Sequence, residues 1–423
     1  MAVDEYDLMT ALESLGHINI RKGCQEMPQK IIDQIRSQAA DYEALRRDLH
    51  AHPELGFDEH RTVEVICAAL DHLSIPYQTG IGRTGIVGVI PGRATSSGRA
   101  IGLRADMDAL PVRECTKLDY ASTREGRMHA CGHDGHVTML LAAADYLQKT
   151  RDYDGTVYLI FQPGEEGYNG GLEMVNDGLF ERFPIEQVYA LHNWPTLPLG
   201  TIAVPIGAVM AASDIITIKI QGRGGHGGVA PQYTVDPVLI AGAIISAVHS
   251  IVGRNLNPLD TGVISLCGIS GGSLEAFNVI PDEVVISGTV RSLRAEVQET
   301  IESRLREIVE GVARSFGGSA TLEYRKGVPA TINSEAEALL ARQAAIDVVG
   351  VEHVVQQPVP SLGGEDFSFM LAERPGAYIH LGTGDGKHCH GLHSAYYDFN
   401  DAATPIGSAL LARIAELSMP LHA

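Results

Sequence analysis

Thr156-Val-Tyr-Leu-Ile-Phe161-Gln-Pro-Gly-Glu165-Glu166 is an unbroken apolar run that ends in a turn and two acids. A strand without polar alternation is buried on both faces, as in a parallel sheet covered by helices. Such sheets present the carboxyl ends of their strands to the ligand crevice, so Glu165 and Glu166 stand where chemistry is expected. The pattern repeats on either side. Residues 86–90, 100–103, 188–191 and 377–381 read as strands, 137–147 as a buried helix and 402–417 as a closing helix. Upstream, 30–50 is helical and charged, Ala51-His-Pro-Glu-Leu-Gly56 breaks it, and 59–73 forms a second helix. The fold class expected is α/β, a mixed and mostly parallel sheet flanked by helices.

The middle of the chain has another rhythm. Strands at 214–220, 262–266, 284–290 and 320–324 alternate with helices at 236–252 and 293–316. This β-α-β-β-α-β order is the split βαβ arrangement of ferredoxin-like domains. An α+β domain inserted at 212–328 therefore divides a catalytic domain made of 1–211 and 329–423. Residues 1–29 form an N-terminal arm, with a short helix expected at 8–15.

A chain of 423 residues exceeds one hydrophobic core, which agrees with two domains. The net charge of −20 argues against nucleic acid or an anionic membrane as partner, since both need a basic face. The start, Met-Ala-Val-Asp-Glu-Tyr-Asp, lacks the apolar run of a secretory signal. No stretch approaches the roughly 20 apolar residues of a membrane span. The six cysteines form no CxxC pair, which points to reduced thiols and a cytoplasmic setting.

The densest cluster of donor side chains is His129-Ala-Cys131-Gly-His133-Asp134-Gly-His136. In an extended segment Cys131 and His133 share one face and can point at one metal. A thiolate with imidazoles and carboxylates suits zinc, and manganese, cobalt or nickel also fit. Taken singly, Cys131 reads as a buried apolar thiol and His133 as a hydrogen-bonded loop residue. Glu165 and Glu166 face opposite ways in extended chain, so one can bind metal while the other meets the attacking water; a solvated acidic turn is the plain alternative. His192, after the strand 188–191, and His393, in Gly391-Leu-His-Ser394, supply the missing nitrogen ligands of a two-metal site. Asp106, in Leu103-Arg-Ala-Asp106-Met-Asp108, supports a ligand from behind or simply pairs with Arg104.

These motifs, in this order, resemble the metallopeptidase family of metal-dependent aminoacylases and glutamate-releasing carboxypeptidases, in particular its hippurate hydrolase and auxin-conjugate hydrolase branch. The likeness runs from Arg47-Asp-Leu-His-Ala-His-Pro-Glu54 through Leu103–Pro111, Met128–Asp134, Phe161–Glu166 and Ala190–Asn193. It continues through Gly224-Gly-His226, Asn278-Val-Ile-Pro281, Gly363-Gly-Glu-Asp-Phe367 and Gly391–Ser394. It implies that Cys131, His133, Glu166, His192 and His393 bind two divalent metal ions per subunit (Zn, Mn, Co or Ni), with Cys131 bridging or binding both. It implies Glu165 as general base and Asp106 as supporting carboxylate. In the inserted lid and dimerisation domain, His226 would stabilise the oxyanion, reaching across a homodimer or higher homo-oligomer, and Asn278 would hold the substrate carboxylate. Arg104 stands where most of the wider family has a metal-binding histidine. After His226 the chain reads Gly227-Gly-Val-Ala-Pro231-Gln232, one residue longer than the branch and with Gln for its usual His.

The reaction expected is hydrolysis of the amide of a small N-acyl or N-aroyl amino acid, by metal-activated water with Glu165 taking the proton. Short peptides, cut by a metallo-carboxypeptidase or dipeptidase, are the alternative substrates. A thiol hydrolase with Cys131 as nucleophile and His133 as base is disfavoured, because neighbours two apart rarely align for that chemistry. A binding protein that lost catalysis is disfavoured because the acid, base and ligand residues are all present.

Overall fold

A computed structural model of the chain describes residues 26–421. The short helix expected at 8–15 and most of the arm lie outside the described residues. A helix begins at Glu26, inside the expected arm, and ends at Arg36; a second, Ala39–Ala51, follows a turn at Ser37 and Gln38. The single helix expected over 30–50 is thus two.

The principal strands, in chain order, are β1 (Tyr77–Ile81), β2 (Gly85–Pro91), β3 (Ala100–Asp106), β4 (Thr156–Gln162), β5 (Gln187–Pro198) and β6 (Ile202–Ala203). They continue with β7 (Ala212–Gln221), β8 (Gly262–Ser270), β9 (Glu283–Ser292), β10 (Ser319–Val328) and β11 (Gly376–Gly384). The larger sheet has the order β1-β2-β4-β3-β5-β11-β6. Its centre, β4-β3-β5-β11, is parallel, and its margins are antiparallel.

The apolar run in β4 has the expected cause. Leu159 and Phe161 enter a core shared with the helices His133–Thr150 and Thr404–Ser418. Tyr158 and Ile160 enter a second core on the opposite face with Met174, Phe180 and Tyr378. Burial on both faces therefore removes any reason for polar alternation. β1 escaped the sequence reading because it is an edge: Gln78 and Thr79 are exposed.

The smaller sheet, order β8-β9-β7-β10, is antiparallel throughout, and its helices Pro237–Val248 and Ala295–Ser315 cover one face. Along β7 the residues Ile216, Ile218 and Ile220 alternate inward against Ile240, Ile244, Ile301 and Leu305. Asp236 caps the first helix by accepting from Val238 N at 2.8 Å, with Pro237 supplying the fixed first turn. By length and composition, 237–254 could cross a membrane, contrary to the expectation of no such stretch. It consists of two helices, Pro237–Val248 and Ser250–Arg254, whose Ile240, Ile244, Val248 and Ile251 pack into the core of the small sheet.

The chain enters and leaves this sheet at one place. Ser213 on β7 pairs with Val328 on β10. Beside that crossing the buried Asp214 accepts from Tyr324 Oη at 2.6 Å, Gln298 Nε2 at 2.7 Å and Gly327 N at 3.1 Å.

Candidate metal centre

The parallel strands deliver their carboxyl ends to one place. Asp106 ends β3 in register with Gln162, which ends β4, and the turn after β4 carries Glu165 and Glu166. His192 lies within β5, opposite His380 of β11. Cys131 and His133 arrive differently from expectation. The segment is not extended: Gly132, at φ 93°, turns the chain so that His133 opens the helix His133–Thr150. A Cβ at Gly132 would lie 2.3 Å from Asn193 Oδ1 and 2.5 Å from Tyr397 Oη, so both the conformation and the space require glycine. The two side chains converge through that turn rather than through strand alternation. Glu165 and Glu166 likewise sit on a tight turn, not on extended chain; Gly164 before them is left-handed and Glu166 has non-helical torsions.

The donor atoms fall into two adjoining groups. Cys131, Glu166 and His393 bring one atom each within 4.8 Å of one another, and so do Asp106, His133, His136 and His192. Cys131 Sγ lies 3.5 Å from His192 Nε2 and so links them. Glu165 shares a third group with His133 and Glu166.

The hydrogen bonds orient these donors. His192 Nδ1 donates to the carbonyl of Asn193 at 2.8 Å, and burial first, then His136, keeps the ring neutral, which leaves a lone pair on Nε2 toward Cys131. His133 Nδ1 donates to Asp108 at 3.3 Å, while its Nε2 is buried with no hydrogen-bond partner, 3.6 Å from Asp106 and 3.9 Å from Glu166. Glu166 Oε1 is equally unsatisfied, although His393 Nε2 stands 3.1 Å away. His393 itself holds φ 66°, rare for a residue with a Cβ, and its N–H donates to the Ala130 carbonyl at 2.7 Å. Strain of this kind collects where a side chain must be aimed.

The charge of the cluster suits a cation. Burial, then Glu166, Glu165 and Asp106, push the Cys131 thiol well above its usual range. Burial would depress His133, but Asp106 and Asp108 outweigh it and push the ring up to about 10. Burial raises Glu165, and Glu365, Asp366, Glu166 and Asp108 raise it further. Unsatisfied buried donors within an excess of negative charge fit a divalent metal, which replaces the protons these groups otherwise hold.

The pairing of Asp106 with Arg104 read from the sequence is present, while the supporting roles of His136, Gln162 and Glu365 were passed over. His136 has both ring nitrogens engaged, Nδ1 by Asp106 at 2.5 Å and Nε2 by Asn193 at 2.6 Å, so it holds Asp106 rather than offering a free donor. Arg104 is buried and donates to Asp106 at 2.7 Å, Glu365 at 2.9 Å and Gln162 at 2.8 Å. The Gly363-Gly-Glu-Asp-Phe367 motif was visible, but its contact with Arg104 across the chain was not.

His226 and Asn278 meet each other instead of the buried cluster. His226 pairs with Val279 in the short ladder between Gly225–His226 and Val279–Ile280, Asn278 directly precedes that ladder, and the Asn278 amide lies 3.4 Å from His226 Nε2. Gly228 and Val229 both donate backbone N–H to His226 Nδ1 at 3.2 Å, which leaves the ring hydrogen on Nε2. Both residues are exposed, and among the described residues no hydrogen bond or ion pair joins either to the buried donors.

The model of peptidase family M20/M25/M40 matches residues 102–417. The chain belongs to this family. It is 37% identical over 385 residues to a hippurate hydrolase from Campylobacter jejuni, covering 91% of this chain and 98% of that protein. It is 39% identical over 345 residues to an N-acetyl-L-cysteine deacetylase from Bacillus subtilis, covering 81% and 80%. A Bacillus subtilis crystal structure described as a dinuclear metal-binding peptidase of the M20 family superimposes with a TM-score of 0.80 at 31% identity, over 91% of this chain and 99% of that one. This M20 chain is therefore a hydrolytic enzyme, an amidohydrolase with a mixed α/β fold, and its donor cluster suits divalent metal.

Proposed function

We propose that the protein hydrolyses the amide bond of N-acyl or N-aroyl amino acids, with two divalent cations per subunit. The observation that carries this reading is the linked pair of donor groups, Cys131-Glu166-His393 and Asp106-His133-His192, with Glu165 beside them. Cys131, in the first group and 3.5 Å from His192 of the second, would bridge or bind both. Zinc suits thiolate and imidazole together, and manganese, cobalt and nickel share the set. When bound, the cations supply Lewis acidity to the scissile carbonyl and acidity to the attacking water.

The residues of the chain do the rest. Glu165, its proton affinity raised by its carboxylate neighbours, accepts the water proton and returns it to the departing nitrogen. Asp106 stays anionic and steadies the imidazoles. His226 offers an Nε2–H suited to an oxyanion, and Asn278 beside it offers an amide to the substrate carboxylate. Neither lies against the cluster in one chain, which supports a second subunit of a homodimer bringing them there. In this reading 212–328 is the lid and dimerisation unit, 1–211 with 329–423 is the catalytic unit, and the setting is cytoplasmic.

The likeness to a hippurate hydrolase and an N-acetyl-L-cysteine deacetylase supports N-acyl amino acids over peptides. The test is a hydrolysis screen of hippurate, N-acetyl amino acids, auxin conjugates and dipeptides, repeated after stripping the protein and restoring single metals. Metal-dependent release of amino acid from N-acyl substrates is expected. Cleavage of dipeptides alone would replace the reading with a dipeptidase, and turnover that survives chelation but not thiol alkylation would overturn it.

A further inference from the structure

The turn that carries Glu165 and Glu166 has little secondary structure of its own. It is a four-residue helical turn, Glu165–Tyr168, in which Gly164, Gly167 and Asn169 are left-handed and Glu166 is non-helical, so regular helix does not run through it into the helix Gly170–Asn176. Gly170 N donates to the Gly164 carbonyl at 2.9 Å and closes the turn on itself. Three N–H donors, the last in the first turn of the helix Gly170–Asn176, go to carboxylates from three distant parts of the chain. Gly164 N donates to Glu59 Oε1 at 2.9 Å, Glu166 N to Asp108 Oδ2 at 3.0 Å and Gly171 N to Asp366 Oδ2 at 2.8 Å. All three acceptors are buried.

Two of the acceptors, Glu59 and Asp366, are themselves fixed from behind. Glu59 stands at the head of the helix His60–His72, and its other oxygen accepts from Thr84 Oγ1 at 2.7 Å. The second oxygen of Asp366 accepts from Gln162 Nε2 at 2.7 Å and Arg104 Nη2 at 3.3 Å. Asp366 thus joins the end of β4 to the far end of the turn, and Glu59 holds the residue just before Glu165. Burial raises Glu59 and, with Glu365, pushes Asp366 up to about 8, so packing three more carboxyl groups around two acidic side chains is costly, and a turn held only for stability could use carbonyls instead.

We propose that Glu59 and Asp366, with Asp108 between them, are positioning residues that lock the turn 163–171 and so aim the Glu165 carboxylate. The inference rests on Glu165 being the base. Misplacing a reacting group by about 1 Å can cost on the order of 10²-fold in rate.

The experiment compares Glu59→Ala with Glu59→Gln, which keeps an acceptor oxygen, by hydrogen–deuterium exchange of the peptide spanning 163–171 and by steady-state kinetics. For Glu59→Ala we expect about tenfold faster exchange there, exchange elsewhere unchanged, kcat lower by about 10²-fold, and KM and bound metal within about twofold of wild type. Glu59→Gln should restore protection and most of kcat. Thr84→Val, which only frees the second Glu59 oxygen, gives a milder loss of the same kind and serves if Glu59→Ala does not fold. Wild-type exchange over 163–171 in Glu59→Ala or Thr84→Val overturns the proposal, as does an equal loss of kcat in Glu59→Gln and Glu59→Ala. If the wild-type enzyme cleaves no N-acyl amino acid, the reading of function fails while the exchange result still decides whether these carboxylates lock the turn.

Discussion

Asp106 is held from two sides before any cation arrives: His136 Nδ1 donates to one oxygen at 2.5 Å and Arg104 Nη1 to the other at 2.7 Å. Burial alone would favour the neutral acid, but Arg104, His133 and His136 outweigh it and keep the carboxyl well below its usual range. A fixed anion therefore lies under His133, while Glu165, a few residues from the end of the neighbouring strand, is pushed the opposite way. Two carboxylates driven apart in proton affinity are a recurring sign of divided labour in hydrolytic sites.

The first prediction concerns the base. Glu165→Gln should lower kcat by about 10²–10⁴-fold. Bound metal, measured by mass spectrometry, should not change. Full turnover in this variant would remove Glu165 from the role.

Metal binding should release protons. The Cys131 thiol and the His133 ring both hold protons in the free site, one well above the usual thiol range and the other up to about 10. A cation displaces them, so apparent affinity rises with pH. Calorimetry in buffers of different ionisation enthalpy measures the release, and Cys131→Ala should release fewer protons. Identical heats in every buffer would show that these groups do not bind the cation.

A second network gives a stability signature. Burial alone would depress His50, yet Asp134, 2.8 Å from Nδ1, and Glu114 push the ring up to about 9. A group raised above its unfolded value of 6.5 contributes fully below that pH and loses its contribution as the pH climbs through about 9. The denaturation midpoint of chelator-treated protein should therefore fall from pH 6.5 to about 9.5, and His50→Gln should flatten the slope. Parallel slopes for the two proteins would count against the pairing.

Gly132→Ala tests the turn between Cys131 and His133. The left-handed backbone alone costs about 1–2 kcal/mol for a residue with a Cβ, and the clash with Asn193 adds to it. A lower melting temperature and reduced metal content are expected. Unchanged values for both would show that the turn relaxes freely.

Subunit exchange tests the route of His226. His226→Ala and Glu165→Gln proteins, each impaired, should recover activity when mixed and refolded together if His226 acts on the neighbouring subunit's site. Recovery is absent if His226 serves its own chain. Size-exclusion chromatography with light scattering reports whether a dimer forms.

Much of this centre could be read from residue order, because strand ends are local features. β4 announced itself by being apolar on both faces, and Cys131, His133, Glu165 and Glu166 by their spacing. The supports could not be read this way. Asp366 reaches Gln162 across 204 positions and Arg104 reaches Glu365 across 261, and no periodicity encodes such contacts. The extended reading of Cys131-Gly-His133 failed because the left-handed Gly132 turns strand logic into the first turn of a helix. β1 was missed because an exposed edge carries the polar residues of a loop.

The pairing of Ser213 with Val328 has an engineering consequence. The two backbone crossings that join the smaller sheet to the rest lie side by side, fastened by Asp214. The intervening 212–328 cassette can thus be exchanged for that of a relative through two adjacent splice points. Chimaeras built this way would test whether substrate preference travels with the cassette or stays with the larger sheet.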